Sequence, residues 1–299
     1  MTLLSLNGLL VVDKPAGLTS HDVVARIRKL GGLRRVGHTG TLDPMATGVL
    51  VLCLGKATRL IPFIEEAGGS EAKEYEASIR FGFETTTDDA EGEPRTAVVD
   101  PASLTRESID SALSGFRGDL LQIPPAFSAK KIDGERAYAR ARRGEDVNLK
   151  PVPVHVAAAE LMDFENPTAR IRFACSRGTY IRALARDLGR AVGTGAHLAG
   201  LRRTRSGAAM IEAAVALATL TEATLLDSVM AMEHALPLWP LVLVDAREVA
   251  ELRQGRAIRN GWQELSGGTR VRICQATGSL VALARVEDGR LRPFLCVLA

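Results

Sequence analysis

The sequence predicts an α+β protein: a core of mixed or antiparallel sheet carrying helices, then a small β-rich C-terminal domain. Strict apolar alternation at Tyr75, Ala77, Ile79 and Phe81, and again across Arg170–Cys175, marks half-buried strands. Apolar residues at helical spacing, Val23, Val24, Ile27 and Leu30, then Ile181, Leu184, Ala185 and Leu188, mark amphipathic helices. Beyond Pro237 and Pro240, which bracket Trp239, only short strands and turns are legible. The length of 299 residues is near twice the usual domain of about 150, which fits domains at 1–238 and 239–299.

Gly8 to Val12 reads as a short buried strand, closed by the turn Lys14-Pro15-Ala16-Gly17. Thr19 and Asp22 form a capping-box start for a helix that Gly31-Gly32 stops. The run Gly37–Gly48 reads as one Gly/Thr loop leading into a strand over Val49–Leu54. Gly55 ends that strand, and a helix follows through Ile64. Leu104 to Phe116 reads as helical. Gly118–Pro153 is basic, contains Pro124-Pro125 and reads as a projecting insertion. A turn at Arg177-Gly178 introduces a helix from Thr179 to about Leu188, stopped by Gly189. Its apolar face leaves Arg182 and Arg186, four apart, on another side. Short strands are predicted over Val271–Cys274 and Leu280–Arg285, with a hairpin turn at Glu287-Asp288-Gly289-Arg290. No internal repeat is visible.

A content of 46% hydrophobic and 24% charged residues excludes a disordered or collagen-like chain. The apolar run Val49–Leu54 is far too short for a membrane span, and Asp13 and Lys14 interrupt the N-terminal apolar stretch, against a signal peptide. Four scattered cysteines with no CxxC argue against a disulfide framework or zinc site. The expectation is a cytosolic protein that needs no metal. The net charge of +3 hides blocks: ten acidic against two basic residues over Glu65–Glu93, nine arginines against one acid over Arg170–Arg205, and six basic residues over Lys130–Arg143. A polyanion partner and plain solvated basic faces both fit these blocks.

No phosphate-binding P-loop, dinucleotide fingerprint, HExxH or GxSxG is present. The unusual feature is the loop Gly37-His38-Thr39-Gly40-Thr41-Leu42-Asp43-Pro44-Met45-Ala46-Thr47-Gly48. Pro44 holds Asp43 out of the helical region and so fixes where its carboxylate starts. A plain turn residue and a functional carboxylate on a loop are both open at this point.

GHTGTLDPMATGVL resembles the catalytic motif of the TruB family of bacterial tRNA pseudouridine synthases. The likeness extends, in the family's order, through GLLVVDKPAGLTSHDVV, KEYEASIRFGFETTTDDAEG, QIPPAFSAKKIDGERAYARARRG, CSRGTYIRALARDLG and LRRTRSG, spanning Gly8 to Gly207. The resemblance implies a pseudouridine synthase catalytic core that turns uridine 55 in the tRNA T-loop into pseudouridine. The base leaves ribose at N1, turns and rejoins through C5, with no net redox change and hence no cofactor. Breaking a glycosidic bond favours a nearby carboxylate. By residue matching, Asp43 is that carboxylate, whether it attacks base or ribose or takes the C2′ proton.

Arg182 matches the arginine paired with the catalytic Asp, and Tyr75 the tyrosine that stacks on the base and relays its C5 proton. His38 matches the histidine that helps extrude the base, while Tyr180 and Leu201 match positions lining its pocket. Lys14 with Pro15 is a support for the loop. Lys130, Lys131, Arg136, Arg140, Arg142 and Arg143 of the RNA-gripping insertion are expected on the T-arm. Phe127 departs from the Tyr of many members. The region 241–299 resembles a PUA-like RNA-binding domain. The insertion favours a monomeric, guide-free enzyme over a guide-dependent one, and the alternative class is an RNA-binding or RNA-folding protein of the same fold.

Overall fold

The computed structural model describes residues 6–128, 130–132, 135–143, 145, 147, 149–259, 261 and 265–297. Its strands are β1 (Gly8–Lys14), β2 (Val36–Thr39), β3 (Thr47–Leu54), β4 (Lys73–Phe81), β5 (Gly118–Gln122), β6 (Lys131–Ile132), β7 (Glu135–Arg136), β8 (Val152–Glu165) and β9 (Thr168–Cys175). β10 (Ala196–Ser206), β11 (Ala209–Met210), β12 (Val215–Ala216), β13 (Leu241–Val244), β14 (Ile258–Arg259), β15 (Arg270–Gln275), β16 (Leu280–Glu287) and β17 (Arg290–Cys296) follow. The helices are α1 (Ser20–Leu30), α2 (Ile61–Ala67), α3 (Arg106–Leu113), α4 (Ala137–Arg142), α5 (Ile181–Ala191), α6 (Glu222–Ser228) and α7 (Ala246–Arg253).

Ten of the described strands form one sheet in the order β12-β1-β3-β10-β4-β9-β8-β5, with β2 beside β3 and β11 beside β10. Its pairs are antiparallel except β1 with β12 and β3 with β10, so the sheet is mixed, as the sequence predicts. A second sheet orders β13-β15-β16-β17-β14 and supplies the β-rich C-terminal part. No helix among the described residues is long and apolar enough to cross a membrane.

On one face of the large sheet, α1, α3 and α5 bury Ile27, Ile109 and Leu188 against Leu10, Leu50, Leu52, Ile79 and Phe173. On the other, Leu9, Val11, Val49, Val51 and Cys53 pack against Leu236, Cys274, Leu280, Leu283 and Val297. β1 and β3 are thus covered on both sides, which is why they read as continuous apolar runs instead of alternating. Each such Leu or Val contributes roughly 1.5–3 kcal/mol through burial.

Local signals fall where the sequence puts them. Thr19 and Asp22 form a reciprocal capping box, and Gly31 closes α1. The last hairpin pairs Glu287 with Arg290 across Asp288 and Gly289, both in the left-handed region. Tertiary context corrects other boundaries. Residues 37–39 of the expected loop belong to strand β2, drawn in by pairing with Val51–Cys53. The expected insertion at 118–153 is narrower, because Gly118–Gln122 pairs with Val152–Val156 inside the main sheet. α5 runs past Gly189, which lies so close to Ala196 that no Cβ would fit there.

β3 shares its second edge between two partners: β10 takes Thr47 and Gly48, and β2 takes Val51–Leu54. At this fork the segment Gly40–Ala46 leaves the sheet. The fully buried Arg203 of β10 fills the gap, Nε donating to the Val49 carbonyl at 2.7 Å and Nη2 to the Gly40 carbonyl at 3.0 Å. Gly48 has φ +99°, and a Cβ there would run into the Arg203 backbone. Gly48→Ala is therefore expected to cost more than about 1 kcal/mol, through strain as well as contact. A urea unfolding midpoint equal to that of the native chain would contradict this.

Candidate active site

The loop bearing Asp43 is tied down at short intervals. Lys14, at the end of β1, is fully buried and donates through Nζ to the carbonyls of Pro15 (3.0 Å), Leu18 (2.6 Å) and Pro44 (3.2 Å). The Ser20 hydroxyl accepts from the Leu42 amide at 2.9 Å and donates to its carbonyl at 3.2 Å. Gly40 donates its N–H to Glu65 Oε1 at 2.9 Å. Lys14 therefore supports the loop, as the sequence predicts. Burial holds its pKa below the usual lysine range, while Asp43 pulls the other way.

This bracing sets Asp43 against α5. Arg182 Nε lies 2.9 Å from Asp43 Oδ2 and Nη2 donates to Oδ1 at 3.2 Å, a side-on pair of charge-assisted bonds. The rest of the guanidinium is engaged by the carbonyls of Thr87 and Phe127, each at 3.0 Å, and by Asp89 Oδ2 at 3.5 Å. The arginine side chain is 7% exposed and the carboxylate 37%, so the oxygens face a cavity while their partner is locked behind them.

That cavity, of about 380 Å³, is walled by Asp43, Lys73, Tyr75, Phe127, Ser128, Tyr138, Tyr180, Arg182 and Leu201. Tyr75 and Arg203 are register partners on β4 and β10, and Leu201 opposite Ala77 shares their face. Tyr180 is fixed by its backbone: its N–H donates to Gln122 Oε1 at 2.8 Å, and its carbonyl accepts from Gln122 Nε2 at 3.1 Å. Burial pushes the Tyr75 phenol above the ordinary range despite the Arg203 cation, and raises Tyr180 as well. Both hydroxyls hold their protons at neutral pH.

Five of the six core residues singled out from sequence, Asp43, Tyr75, Tyr180, Arg182 and Leu201, thus meet at one cavity. His38 does not: it lines a neighbouring cavity of about 470 Å³ that shares Thr41, Lys73 and Gly178 with the first. Burial, then His21 and Arg203, lower its pKa, and its Nδ1 has no hydrogen-bond partner among the described residues. Of the insertion cations, Arg140 Nε bonds Glu145 at 3.2 Å, and Arg143 reaches Glu135 and Glu145, each at 2.6 Å. Lys130 is half-buried. The side chains of Lys131, Arg136 and Arg142 lie outside the described residues.

Sequence reasoning missed Lys73, Asp89, Gln122 and Tyr138. Lys73 was open to discovery, since it sits two residues before Tyr75 and so shares its strand face. The others depend on distant contacts. The charge blocks also change meaning. Glu74 pairs with Arg172 (2.7 Å), Glu84 with Arg190 (2.5 Å) and Asp88 with Arg186 (2.9 Å), so the acidic run neutralises much of the Arg170–Arg205 run. Arg182 and Arg186 are both buried, Arg182 against Asp43 and Asp89 and Arg186 against Asp88 and Asp187.

The mixed sheet covered by helices, followed by a second, β-rich sheet, defines a pseudouridine synthase fold. The chain belongs to the TruB family pseudouridylate synthases: the model of that family's N-terminal domain matches residues 28–181, and a tRNA pseudouridylate synthase B C-terminal domain matches 182–238. It is 43% identical to the tRNA pseudouridine synthase B of Solibacter usitatus, covering 94% of this chain and 96% of that one. With the synthase of the same name from Leifsonia xyli it shares 45% identity, covering 96% and 95%. Among solved structures it resembles a chain of an H/ACA RNP bound to a substrate RNA containing 2′-deoxyuridine (TM-score 0.73, 25% identity, 98% of this chain and 85% of that one). It also resembles a chain of a Cbf5-Nop10-Gar1 complex (TM-score 0.71, 28% identity, 96% and 83%).

The acidic loop predicts a specific acid response. Arg190, then Arg95, hold the buried Glu84 carboxyl down at about 2. A depressed carboxylate stabilises the fold above its unfolded value of roughly 4.3, and that contribution disappears as pH falls toward 2. Glu84→Gln should cost about 1–2 kcal/mol at pH 7, discounted because both arginines are partly exposed. Its urea midpoints should converge with those of the native chain toward pH 3. Parallel curves from pH 7 to pH 3 would show that Glu84 does not carry this stability.

Proposed function

We propose that this chain converts uridine 55 in the T-loop of tRNA to pseudouridine, acting in the cytoplasm as a monomer without guide RNA, metal or cofactor. The observation that carries the reading is the Asp43–Arg182 pair: a half-exposed carboxylate held side-on at the mouth of a cavity walled by Tyr75. Among the described residues Asp43 is the only carboxylate lining that cavity. The intact pair favours an enzyme over a pure RNA binder, because gripping RNA does not require it.

The isomerisation breaks N1–C1′, turns the base and forms C5–C1′. Asp43 supports this by attacking base or ribose, or by taking the C2′ proton, and Arg182 fixes the plane of its carboxylate throughout. Tyr75 offers its ring for stacking on the base. Its phenol stays protonated, so it can accept the C5 proton only by passing its own onward. Tyr180 and Leu201 complete the pocket, and His38, in the adjoining cavity, helps extrude the base. Flipping the nucleotide costs about a few kcal/mol, and stacking on Tyr75 returns roughly 1–3 kcal/mol. Lys130, Lys131, Arg136, Arg140, Arg142 and Arg143 grip the T-arm, Arg140 and Arg143 exchanging their glutamate partners for phosphates, which makes binding salt-dependent. The segment 239–299 acts as a PUA-like domain adding a further tRNA contact to the catalytic domain of 1–238.

Pseudouridine formation in an unmodified tRNA transcript tests the reading. The native chain should convert the T-loop uridine with no added metal or cofactor, and Asp43→Asn should bind the same tRNA but react at least about 10³-fold more slowly. Equal conversion by the variant would remove Asp43 from the chemistry. Binding by both without conversion would make the protein an RNA binder.

A further inference from the structure

Among the described residues the cavity wall holds two cations, Arg182 and Lys73, and of these Arg182 is committed. Arg182 is occupied by Asp43, Asp89 and two backbone carbonyls. Lys73 lies two residues before Tyr75 on the same face of β4 and lines both the Asp43 cavity and its neighbour. Its ammonium packs beneath Gly40, where a Cβ would collide with it, and it makes no hydrogen bond or ion pair among the described residues. Lys73 is half-buried, and an ammonium partly withdrawn from water without a protein acceptor is costly in an empty site. The cost is offset when a ligand brings an acceptor to it.

We propose that Lys73 is a further catalytic residue, donating a hydrogen bond to a carbonyl oxygen of the uracil as the base parts from ribose. The inference rests on the isomerase reading above. Breaking N1–C1′ leaves its electron pair on the ring, which spreads the charge over N1 and the carbonyl oxygens. Addition of the Asp43 carboxylate to C6 would instead place the charge on O4. Every route therefore puts negative charge on the carbonyl edge, where a preorganised donor in a water-poor site stabilises the transition state. Lys73 keeps its proton. The charge is discharged when the C5–C1′ bond forms; C5 then releases its proton and N1 takes one up, so the isomerisation gains and loses no net proton.

The groups facing Lys73 are Glu65 from α2, His38 from β2, Cys175 from β9, Arg203 from β10, with Tyr75 on its own strand and Arg177 across the adjoining cavity. Glu65 has one oxygen engaged by Gly40 N–H. Burial, assisted by Arg203 and opposed by Glu65, brings the Lys73 amine down to about 8. The donor form is thus lost as pH rises through that value, and kcat/KM should fall with it.

Single-turnover conversion at saturating tRNA, tRNA affinity and the pH profile of kcat/KM are measured for the native chain, Lys73→Met and Lys73→Arg. Lys73→Met should react about 10²-fold more slowly with affinity within about threefold of native. Lys73→Arg, which keeps a cation, should recover most of the rate and lose the alkaline fall above pH 8. A native rate in Lys73→Met, or a deficit that vanishes at saturating tRNA, overturns the proposal and leaves Lys73 a binding group. A native profile flat from pH 7 to 9.5 overturns it even if Lys73→Met fails to fold. If the native chain itself does not convert uridine, the isomerase reading falls instead, which the native control reveals on its own.

Discussion

The site depends on a buried arginine placed where a sheet divides. β3 needs two neighbours on one edge, and where they diverge Val49 turns its carbonyl toward a gap that Arg203 fills. An unsatisfied buried carbonyl would cost roughly 1–3 kcal/mol, so the guanidinium stabilises the fork it occupies. The same group holds the Gly40 carbonyl and stands beside Tyr75, so one side chain sets the origin of the Asp43 loop and the electrostatics of the opposite wall. Gly40 is pinned from both sides, by Arg203 on its carbonyl and Glu65 on its N–H. The Asp43 segment behaves as a strut instead of a free loop.

Charge is arranged to hold parts in place before any of it meets a substrate. Arg182, Arg186 and Arg190 recur every four residues along α5, and each faces an acid from the segment after β4: Asp89, Asp88 and Glu84. Asp43 joins this ladder at its first rung, sharing Arg182 with Asp89. Geometry at the carboxylate is thus inherited from a network extending well beyond the cavity, and half-satisfied networks of this kind are costly.

The C-terminal sheet also bears on the site. It covers the face of β1 and β3 opposite the helices, and α2 lies between it and the loop. Phe63 packs against Trp239 and Phe294, Glu66 pairs with Arg270 at 2.7 Å, and the adjacent Glu65 holds Gly40. One short helix therefore touches both the C-terminal sheet and the Asp43 segment.

The capping box of α1, the Asp288-Gly289 hairpin and the alternation of Tyr75 through Phe81 were legible because each is decided within a few residues of chain. The motif resemblance likewise marked Asp43, Tyr75, Tyr180, Arg182 and Leu201. Their convergence was not legible from local chemistry, since Asp43 and Arg182 stand 139 residues apart. Nor was it visible that the acidic and basic blocks would consume each other, that the run 36–39 would become strand, or that His38 would fall in the adjoining cavity. Local sequence determined the elements and the residue types that chemistry needs. Which strand edges fork, which cation pairs with which acid, and which lysine comes to the cavity wall were decided only when the sheet closed, because those choices rest on contacts between residues far apart in the chain.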